Sequence, residues 1–266
     1  MNKKFLNKKD FKISLILTLL SAIGIILTIL GQIDSIPTEL LETMSKAQLI
    51  AISFGQSVVM AFILSFIGLK LSRAAKLNNG LLGCIYADTK DNKEKYKLNS
   101  KNIIISILTG FVFASITVLS EKFIWGPMIP EIGETVFTFD PLYLFSGIFY
   151  GGILEEVMLR LFFMSLIIFL LFKIFVRKNK NTNIPSSIYW IAIFIAALLF
   201  ALGHLPLTMI TFSSVTSIVI IRMLLMNGLA GVIFGYLYWK KGIEYAMIAH
   251  IFYHIFTQSI WMPILF

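Results

Sequence analysis

Apolar residues run through this chain in long blocks rather than alternating with polar ones. Each block holds about 20 residues, which at 1.5 Å per residue is enough to cross a hydrocarbon core of about 30 Å. Short polar segments separate the blocks. The pattern predicts seven membrane spans, at residues 13–33, 49–70, 102–121, 142–175, 188–210, 213–239 and 243–265.

The composition supports the same interpretation. Hydrophobic residues make up 58% of the chain, against about 45–50% in soluble globular domains. We therefore expect an all-α fold, a polytopic bundle of transmembrane helices, with residues 1–266 forming a single transmembrane domain. The first apolar block has no clear cleavage site after it, so we expect it to be retained as a span. The single cysteine, Cys84, is placed in a loop and excludes an internal disulfide.

The net charge of +9 indicates membrane topology rather than a nucleic-acid partner, because the basic residues flank the spans. Lysine and arginine are concentrated in the tail 1–12, in the loops 71–101 and 176–187 and at Lys240 and Lys241, and are sparse in 34–48, 122–141 and 211–212. By the positive-inside rule, the N-terminus is cytoplasmic and the C-terminus lies outside. The predicted setting is therefore the cell membrane, with lipid as the surrounding partner.

Ionisable side chains inside the predicted spans are few, and each is a candidate functional group because a charge in hydrocarbon is costly. All three histidines of the chain are among them. Away from the ends of the spans, the set consists of Glu155, Glu156 and Arg160 in span four, His204 in span five, Arg222 in span six, and His250 and His254 in span seven.

The spacing of these residues predicts which of them share a helix face. Glu156 and Arg160 are four apart, so they can pair, and Glu155 is turned about 100° away toward other helices. His250 and His254 are also four apart. The helical rise places Glu155, His204 and His254 about 20, 9 and 17 Å from the outer ends of their spans. Three helices can therefore direct titratable groups into one interior site.

Other positions have structural interpretations. Pro206 is expected to end or kink span five just after His204. Gly228, Gly231 and Gly235 in span six are typical of a small-residue face for close helix packing. Arg222 either snorkels outward or neutralises the site.

A glutamate and a histidine that face one another can deprotonate a water molecule. The N–H groups of His250 and His254 can stabilise the oxyanion of a tetrahedral intermediate. Together these groups favour hydrolysis of a peptide or amide bond without a protein nucleophile.

Three alternatives stay open at this point. Glu155, His204, His250 and His254 are possible zinc ligands, although His250-Ile-Phe-Tyr-His254 lacks the glutamate of the H-E-x-x-H helix. Glu156–Arg160 and the histidines can instead be a structural ion pair and interhelical hydrogen-bonding groups. Buried Glu and His also serve proton pathways, but no inverted repeat supports a transporter.

Three short motifs occur in order on the late spans: "EEVMLR" at 155–160, "FALGH" at 200–204 and "HIFYH" at 250–254. With them, the stretch of about 145–258 resembles the CAAX-protease and bacteriocin-processing (CPBP, or Abi) family of intramembrane endopeptidases. The resemblance implies a motif-bearing core at about 142–265, with the spans in 1–121 as accessory helices.

The resemblance also implies roles for individual residues. Glu155 and His204 would activate water, Glu156 and Arg160 would form the supporting pair, and His250 would help to form the oxyanion site. His254 stands where the family usually has Asn or Asp, and its imidazole N–H can replace an amide donor. The resemblance places Phe200 on the motif-two helix, and we take Phe200 and Arg222 as the candidate substrate contacts.

The Lys-, Ile- and Asn-rich composition is typical of a low-GC bacterium. It favours a peptide or bacteriocin precursor over a prenylated CAAX-type substrate. A metal cofactor is not favoured, although Zn is possible. The altered third motif leaves a second function open, in which a catalytically impaired member acts as a self-immunity protein or a membrane scaffold.

Overall fold

The computed structural model of the protein describes residues 7–36, 38–77, 80–86, 98–176 and 183–266. Over these residues every regular element is helical. The long helices are α1 (Lys8–Gly31), α2 (Lys46–Ala74), α3 (Ser100–Trp125), α4 (Pro141–Phe175), α5 (Ser186–Thr211), α6 (Ser217–Lys240) and α7 (Ile243–Phe256), which continues through Thr257–Trp261 and Met262–Leu265. Short helices occupy Ile33–Ser35, Thr38–Thr43, Gly80–Tyr86 and Pro130–Gly133.

Helices α1 to α6 are each long and apolar enough to cross a membrane, and α7 with its extension matches the seventh predicted span. The predicted fold class, a polytopic all-α bundle, is therefore confirmed, and the chain is a multi-pass membrane protein. Residues 87–97 of the predicted basic loop 71–101 fall outside the described residues, as do the basic positions Lys3, Lys4, Arg177, Lys178 and Lys180.

Two local predictions were wrong. Cys84 is exposed on the short helix Gly80–Tyr86 rather than in a loop. Span three was predicted to end at residue 121, but α3 continues to Trp125, with its last turn wound as a π-helix over Glu121–Trp125. Glu121 therefore lies inside a membrane-spanning helix.

Helix α4 has the most packing partners in the bundle. It packs against α1 and α2 on one side and against α5 and α7 on the other. Helices α5 and α6 form one antiparallel pair, and α3 packs along α7. Because α4, α5 and α7 carry the three predicted motifs, this packing brings the motifs together.

A glycine lies at four of these helix contacts and lets the backbones approach closely. A Cβ added to Gly24 of α1 would overlap the backbone of Tyr150 in α4, and one added to Gly68 of α2 would lie 3.0 Å from the carbonyl oxygen of Leu161 in α4. A Cβ at Gly110 of α3 would lie 2.6 Å from the carbonyl oxygen of Ala249 in α7, and one at Gly231 of α6 would lie 2.5 Å from the Cα of Ala197 in α5.

The predicted small-residue face of α6 is only partly correct. Gly231 and Gly235 face Ala197 and Ile193 of α5, as expected. A Cβ at Gly228, however, would meet no atom within 4 Å. Gly228 therefore plays no part in close packing within the described structure.

The outward faces of the helices are apolar and the inward face of α1 is polar. Leu19, Phe194 and Leu225 are 60%, 58% and 52% exposed, as expected of side chains that contact lipid. The buried residues of α1 include Asp10 and Ser14. Small and polar residues therefore face the bundle while large apolar residues face outward, which is the arrangement that helix packing in lipid favours.

A buried ion pair joins α1 to α2 near the predicted cytoplasmic side. Both carboxylate oxygens of Asp10 lie 2.7 Å from the guanidinium of Arg73, and the hydroxyl of Tyr86 donates to Asp10. Asp10 and Arg73 lie outside the predicted spans 13–33 and 49–70, so they were not among the candidate functional residues. Both lie in the end turns of helices that extend beyond the predicted spans. There Arg73 supplies the counterion that the fully buried carboxylate of Asp10 requires.

Candidate active site

Two adjacent carboxylates on α4 define the candidate site. The segment Gly147–Met164, which carries them, is wound as a π-helix, a form that occurs often at functional sites. Oε1 of Glu156 lies 2.9 Å from Nη1 of Arg160, and the two side chains are 0% and 1% exposed. The predicted ion pair is therefore present, and it is fully buried. Glu155 points elsewhere and its side chain is 18% exposed.

Two aromatic rings surround the guanidinium of Arg160. Its Cζ lies 4.7 Å from the ring centroid of Phe200 in α5 and 5.4 Å from that of Phe234 in α6. A cation over an aromatic face is attracted by the ring quadrupole, so these contacts partly compensate for the lost hydration of the arginine. Phe200 itself is 4% exposed, so its ring contacts protein in this state of the site.

His250 of α7 faces both carboxylates. Its Nδ1 lies 2.8 Å from Oε1 of Glu156, and its Nε2 lies 3.8 Å from Oε2 of Glu155. Phe234 stacks on the imidazole at a centroid distance of 4.6 Å. If Glu156 is ionised it can only accept, so Nδ1 must carry a hydrogen, and Nε2 is the nitrogen that faces Glu155.

His204 lies at a break in α5. The helix Ser186–Gly203 ends there, and a second helix, Leu205–Thr211, begins with Pro206 in its first turn. The predicted interruption is therefore confirmed, and its cause is that proline lacks an N–H and its ring clashes with the carbonyl four residues earlier.

The break also fixes the tautomer of His204. Its backbone N–H bonds to residues 201 and 202, so the carbonyl of Phe200 loses its usual helical donor. Nδ1 of the His204 ring lies 2.9 Å from that carbonyl oxygen. A carbonyl only accepts, so Nδ1 carries the hydrogen and, in the neutral ring, Nε2 has a free lone pair. This bond gives a physical reason for the four-residue spacing between Phe200 and His204.

His254 packs against two glycines of α4. A Cβ at Gly147 would lie 2.6 Å from its Nδ1, and a Cβ at Gly151 would lie 2.5 Å from its Nε2. Its ring stacks on His250 at a centroid distance of 5.1 Å and an angle of 17°. Nε2 of His254 is buried and has no hydrogen-bond partner among the described residues. An imidazole, which is larger than the side chain of Asn or Asp, therefore fits at this position because the two facing residues of α4 have no side chain.

The structure brings most of the predicted site residues together. Glu155 and Glu156 contact His250, the ring of His254 stacks on it, and the rings of both His204 and His250 contact Phe200. Phe200 lies between Arg160 and two of the histidines. Its ring centroid is 4.8 Å from that of His204 and 6.1 Å from that of His250.

Arg222 lies elsewhere. Its Nη2 is 2.7 Å from Oε1 of Glu121 in α3, and its Nε contacts both oxygens of that carboxylate. The side chain is 24% exposed. Neither predicted alternative, snorkelling outward or neutralising Glu155 and Glu156, includes this contact, because Glu121 was taken as the last residue of its span rather than as an intramembrane charge.

Zinc coordination would require Glu155, His204, His250 and His254 to converge on one point. In the part of the chain that the structure describes, no three His, Cys, Asp or Glu side chains form a group suited to a metal ion. Nδ1 of His204 bonds to a backbone carbonyl, and Nδ1 of His250 faces Glu156. These bonds leave Nε2 of each ring free, so they do not themselves exclude a metal. The side chains do not fit a zinc site because they do not converge on one point in the described residues.

Sequence reasoning missed several residues of this site. Gly147 and Gly151 are four apart, and that small-residue spacing was a visible signal for close helix approach. Phe234 had no signal, because an aromatic residue in an apolar span is indistinguishable from other core residues until its neighbours are known. The site therefore extends over four helices, α4 to α7, rather than three.

Comparison with known proteins gives one match. Residues 136–256 match the family model described as "Type II CAAX prenyl endopeptidase Rce1-like". The matched range runs from just before α4 to the end of Ile243–Phe256, and it contains every candidate residue of the site. No curated protein and no solved structure matches the chain.

Proposed function

We propose that this chain is a glutamate-dependent intramembrane endopeptidase, because residues 136–256 match the Rce1-like family model of CAAX endopeptidases. It hydrolyses a peptide bond of a membrane-associated peptide or protein. The observation that carries the proposal is the placement of Glu155 and Glu156 against the two ring nitrogens of His250, in a buried site shared by α4 and α7. The family is one of membrane proteases, and the assignment of catalytic residues to this chain is our own.

Glu155 and His204 activate the attacking water in this proposal. Glu155 is the less buried of the two carboxylates and is not held by Arg160 at ion-pair distance among the described contacts. The free lone pair on Nε2 of His204 makes it a second proton acceptor. One O–H bond of water breaks, its proton passes to one of these groups, and the oxygen attacks the carbonyl carbon. The same proton is then available to the leaving amine.

His250 and His254 hold the oxyanion that forms on the substrate carbonyl. Glu156 contacts Nδ1 of His250, so it stabilises an imidazolium whose Nε2–H can donate to negative oxygen. Arg160 contacts the same oxygen of Glu156, and its positive charge favours the ionised form of that carboxylate. The unpartnered Nε2 of His254 is the second candidate donor.

Phe200 and Arg222 were predicted to contact substrate, and we retain both as proposals. Phe200 touches Arg160 and His204, so it reaches substrate only at the edge of the catalytic set. Arg222 forms an ion pair with Glu121 and remains partly exposed, which suits a polar contact at the outer side of the site. We favour a bacterial peptide or bacteriocin precursor over a CAAX-type substrate.

The division into a core at about 142–265 and accessory spans in 1–121 is likewise a proposal. It is supported by the packing of α1 and α2 against α4, whereas α3 packs along α7, the helix that carries His250 and His254. The non-enzymatic alternative, an immunity protein or scaffold, uses the same fold without the chemistry.

Cells that lack the protein, cells that carry wild-type protein and cells that carry Glu155→Gln distinguish these functions. We expect membrane peptides cleaved in the wild type to accumulate uncut in the other two, as measured by mass spectrometry. Purified protein in liposomes should then cut the identified peptide, with a loss of roughly 100-fold or more in Glu155→Gln.

A matched control for this experiment is Asp34→Asn, which removes a carboxylate that is 91% exposed and lies far along the chain from the site. Its cleavage should equal that of the wild type. Unchanged peptides and an unchanged phenotype in Glu155→Gln would overturn the protease assignment and favour the immunity or scaffold function.

A further inference from the structure

A shallow cavity of about 350 Å³, open to the surface, lies between the start of α4 and the end of α7, the helices that carry Glu155 and His254. Phe137, Asp140 and Tyr143 line it on one side, and Gln258 and Met262 line it on the other. None of the catalytic residues named above belongs to its lining, so the cavity is a separate feature of the fold.

The cavity and the site lie on the same two helices, α4 and α7. On α4, Tyr143 is followed one turn later by Gly147 and two turns later by Gly151, the two glycines that contact His254. On α7, Gln258 follows His254 by one turn. Residues four apart on a helix are neighbours about 6 Å apart, so the cavity begins about one turn outward from His254.

Gln258 gives the cavity a polar group without a partner. The residue is only 8% exposed, it lines the cavity, and its side-chain amide makes no hydrogen bond with the described residues. It lies in the π-helical turn Thr257–Trp261, which displaces it from the regular α7 ladder. A buried amide that can both donate and accept is complementary to a peptide group, which offers one N–H and one C=O.

The charge and rings of the cavity favour a cationic side chain. Oδ1 of Asp140 accepts a hydrogen bond from the backbone N–H of Leu142, and Asp140 remains exposed. Tyr143 is 58% exposed and presents an aromatic ring that attracts a cation. No lysine or arginine is among the described lining residues. Two basic side chains outside the lining already have partners: Lys122 lies over the ring of Phe266, and Arg222, whose charge acts on Tyr143, forms an ion pair with Glu121.

We propose that this cavity is a substrate subsite that binds a basic residue of the peptide. Gln258 pairs with the peptide backbone, and Asp140 with Tyr143 holds the lysine or arginine side chain. Gln258 is eight residues beyond His250, or about 12 Å along a helix. An extended peptide advances about 3.3–3.6 Å per residue, so the basic residue lies about three or four positions from the cleaved bond. The role in substrate selection rests on the proposed endopeptidase function, whereas binding of a basic peptide does not.

Full-length protein in liposomes would be incubated with an acetylated, amidated nonapeptide library, and the products would be sequenced by mass spectrometry. Lysine and arginine should be enriched three or four residues from the cut, on one side only. Asp140→Asn should remove this enrichment and raise KM for a lysine peptide roughly 2- to 5-fold, the range of a partly exposed charge pair. Asparagine keeps the cap on the first turn of α4, so the variant removes charge without removing the cap.

Asp34→Asn is the matched control and should keep the enrichment. Asp140→Lys should replace the preference for basic residues with one for acidic residues. Cleavage by the wild type without basic enrichment, or enrichment that persists in Asp140→Asn, overturns the subsite and leaves the protease assignment intact.

A binding measurement separates the two proposals if the wild type cleaves nothing in the library. Fluorescence anisotropy with Glu155→Gln would compare a labelled nonapeptide that contains one lysine with its glutamine counterpart. If the lysine peptide binds more tightly and this difference disappears when Asp140→Asn is added, the result supports the subsite for a basic residue. Together with the absence of cleavage, it counts against the proposed endopeptidase function. Equal binding of both peptides overturns the subsite.

Discussion

Oε1 of Glu156 is shared between Arg160 of the same helix, at 2.9 Å, and Nδ1 of His250 from α7, at 2.8 Å. One buried oxygen therefore holds the supporting arginine and orients the histidine that faces Glu155. This relationship explains why the chain places three charged groups in one membrane helix. Glu156 and Arg160 form the buried pair, and Glu155, which faces Nε2 of His250, is the carboxylate that we propose for the chemistry.

Loss of the Glu156 charge should destabilise the protein as well as inactivate it. In Glu156→Gln, Arg160 remains a buried charge without its counterion, and breaking a buried pair from one side costs about 3–5 kcal/mol. The double variant Glu156→Gln with Arg160→Met should recover part of the loss, because it removes both charges. Unfolding in mixed detergent micelles measures these differences.

The exposed pair of Lys46 and Asp34 is the control for that experiment. Its side chains are 49% and 91% exposed, so Asp34→Asn should cost at most about 1 kcal/mol. Equal losses in Glu156→Gln and Asp34→Asn would show that burial of the Glu156 pair does not determine its energy.

The two nitrogens of His204 should have separable roles. In His204→Asn, the amide N–H can replace Nδ1–H at the carbonyl of Phe200, while nothing replaces Nε2. We expect cleavage to fall by roughly 100-fold or more, with the free energy of unfolding little changed. In His204→Gln the hydrogen bond to Phe200 is lost as well, and stability should fall by about 1 kcal/mol.

Activity assays and thermal unfolding on the two His204 variants make the comparison. Wild-type cleavage by His204→Asn would contradict a role for Nε2 in water activation. Identical stabilities of the two variants would contradict the bond to Phe200.

Gly151 and Gly228 should respond in opposite ways to alanine. A Cβ at Gly151 would lie 2.5 Å from Nε2 of His254, whereas one at Gly228 meets nothing within 4 Å. Gly151→Ala should therefore displace His254 and reduce cleavage at least several-fold. Gly228→Ala should keep wild-type activity and gain about 0.5–1 kcal/mol of stability, because alanine favours the helix.

Turnover and thermal unfolding, measured on both glycine variants in the same detergent, test this pair. The packing of His254 would be refuted by a Gly151→Ala protein with unaltered kcat and unaltered stability.

The unique cysteine tests the predicted orientation directly. Cys84 is exposed on the helix Gly80–Tyr86, on the side that the positive-inside rule assigns to the cytoplasm. A membrane-impermeant maleimide applied to intact cells should not label it and should label it after permeabilisation. A Cys84→Ala protein with Asp140→Cys should show the reverse pattern. Labelling of Cys84 in intact cells would show that the orientation is opposite to the predicted one.

The sequence determined the helical fold, the order of the spans and the identity of the residues at the site. Runs of about 20 apolar residues leave few alternatives to spanning helices, and the rarity of intramembrane charges selects Glu155, Glu156, Arg160, His204 and His250 directly. The pair Glu156–Arg160 and the break after His204 also followed from spacing and from Pro206, because both are local properties of one helix.

The tertiary structure decided which helices meet and which partners each charge finds. Arg222 was selected from the sequence, but its partner Glu121 is 101 residues away on α3, and no local rule connects them. The fit of His254 against Gly147 and Gly151, and the stacking of Phe234 on His250, depend on where α4, α6 and α7 cross. Lipid-facing and core-facing apolar residues have similar compositions, so hydropathy alone cannot tell one face of a spanning helix from the other.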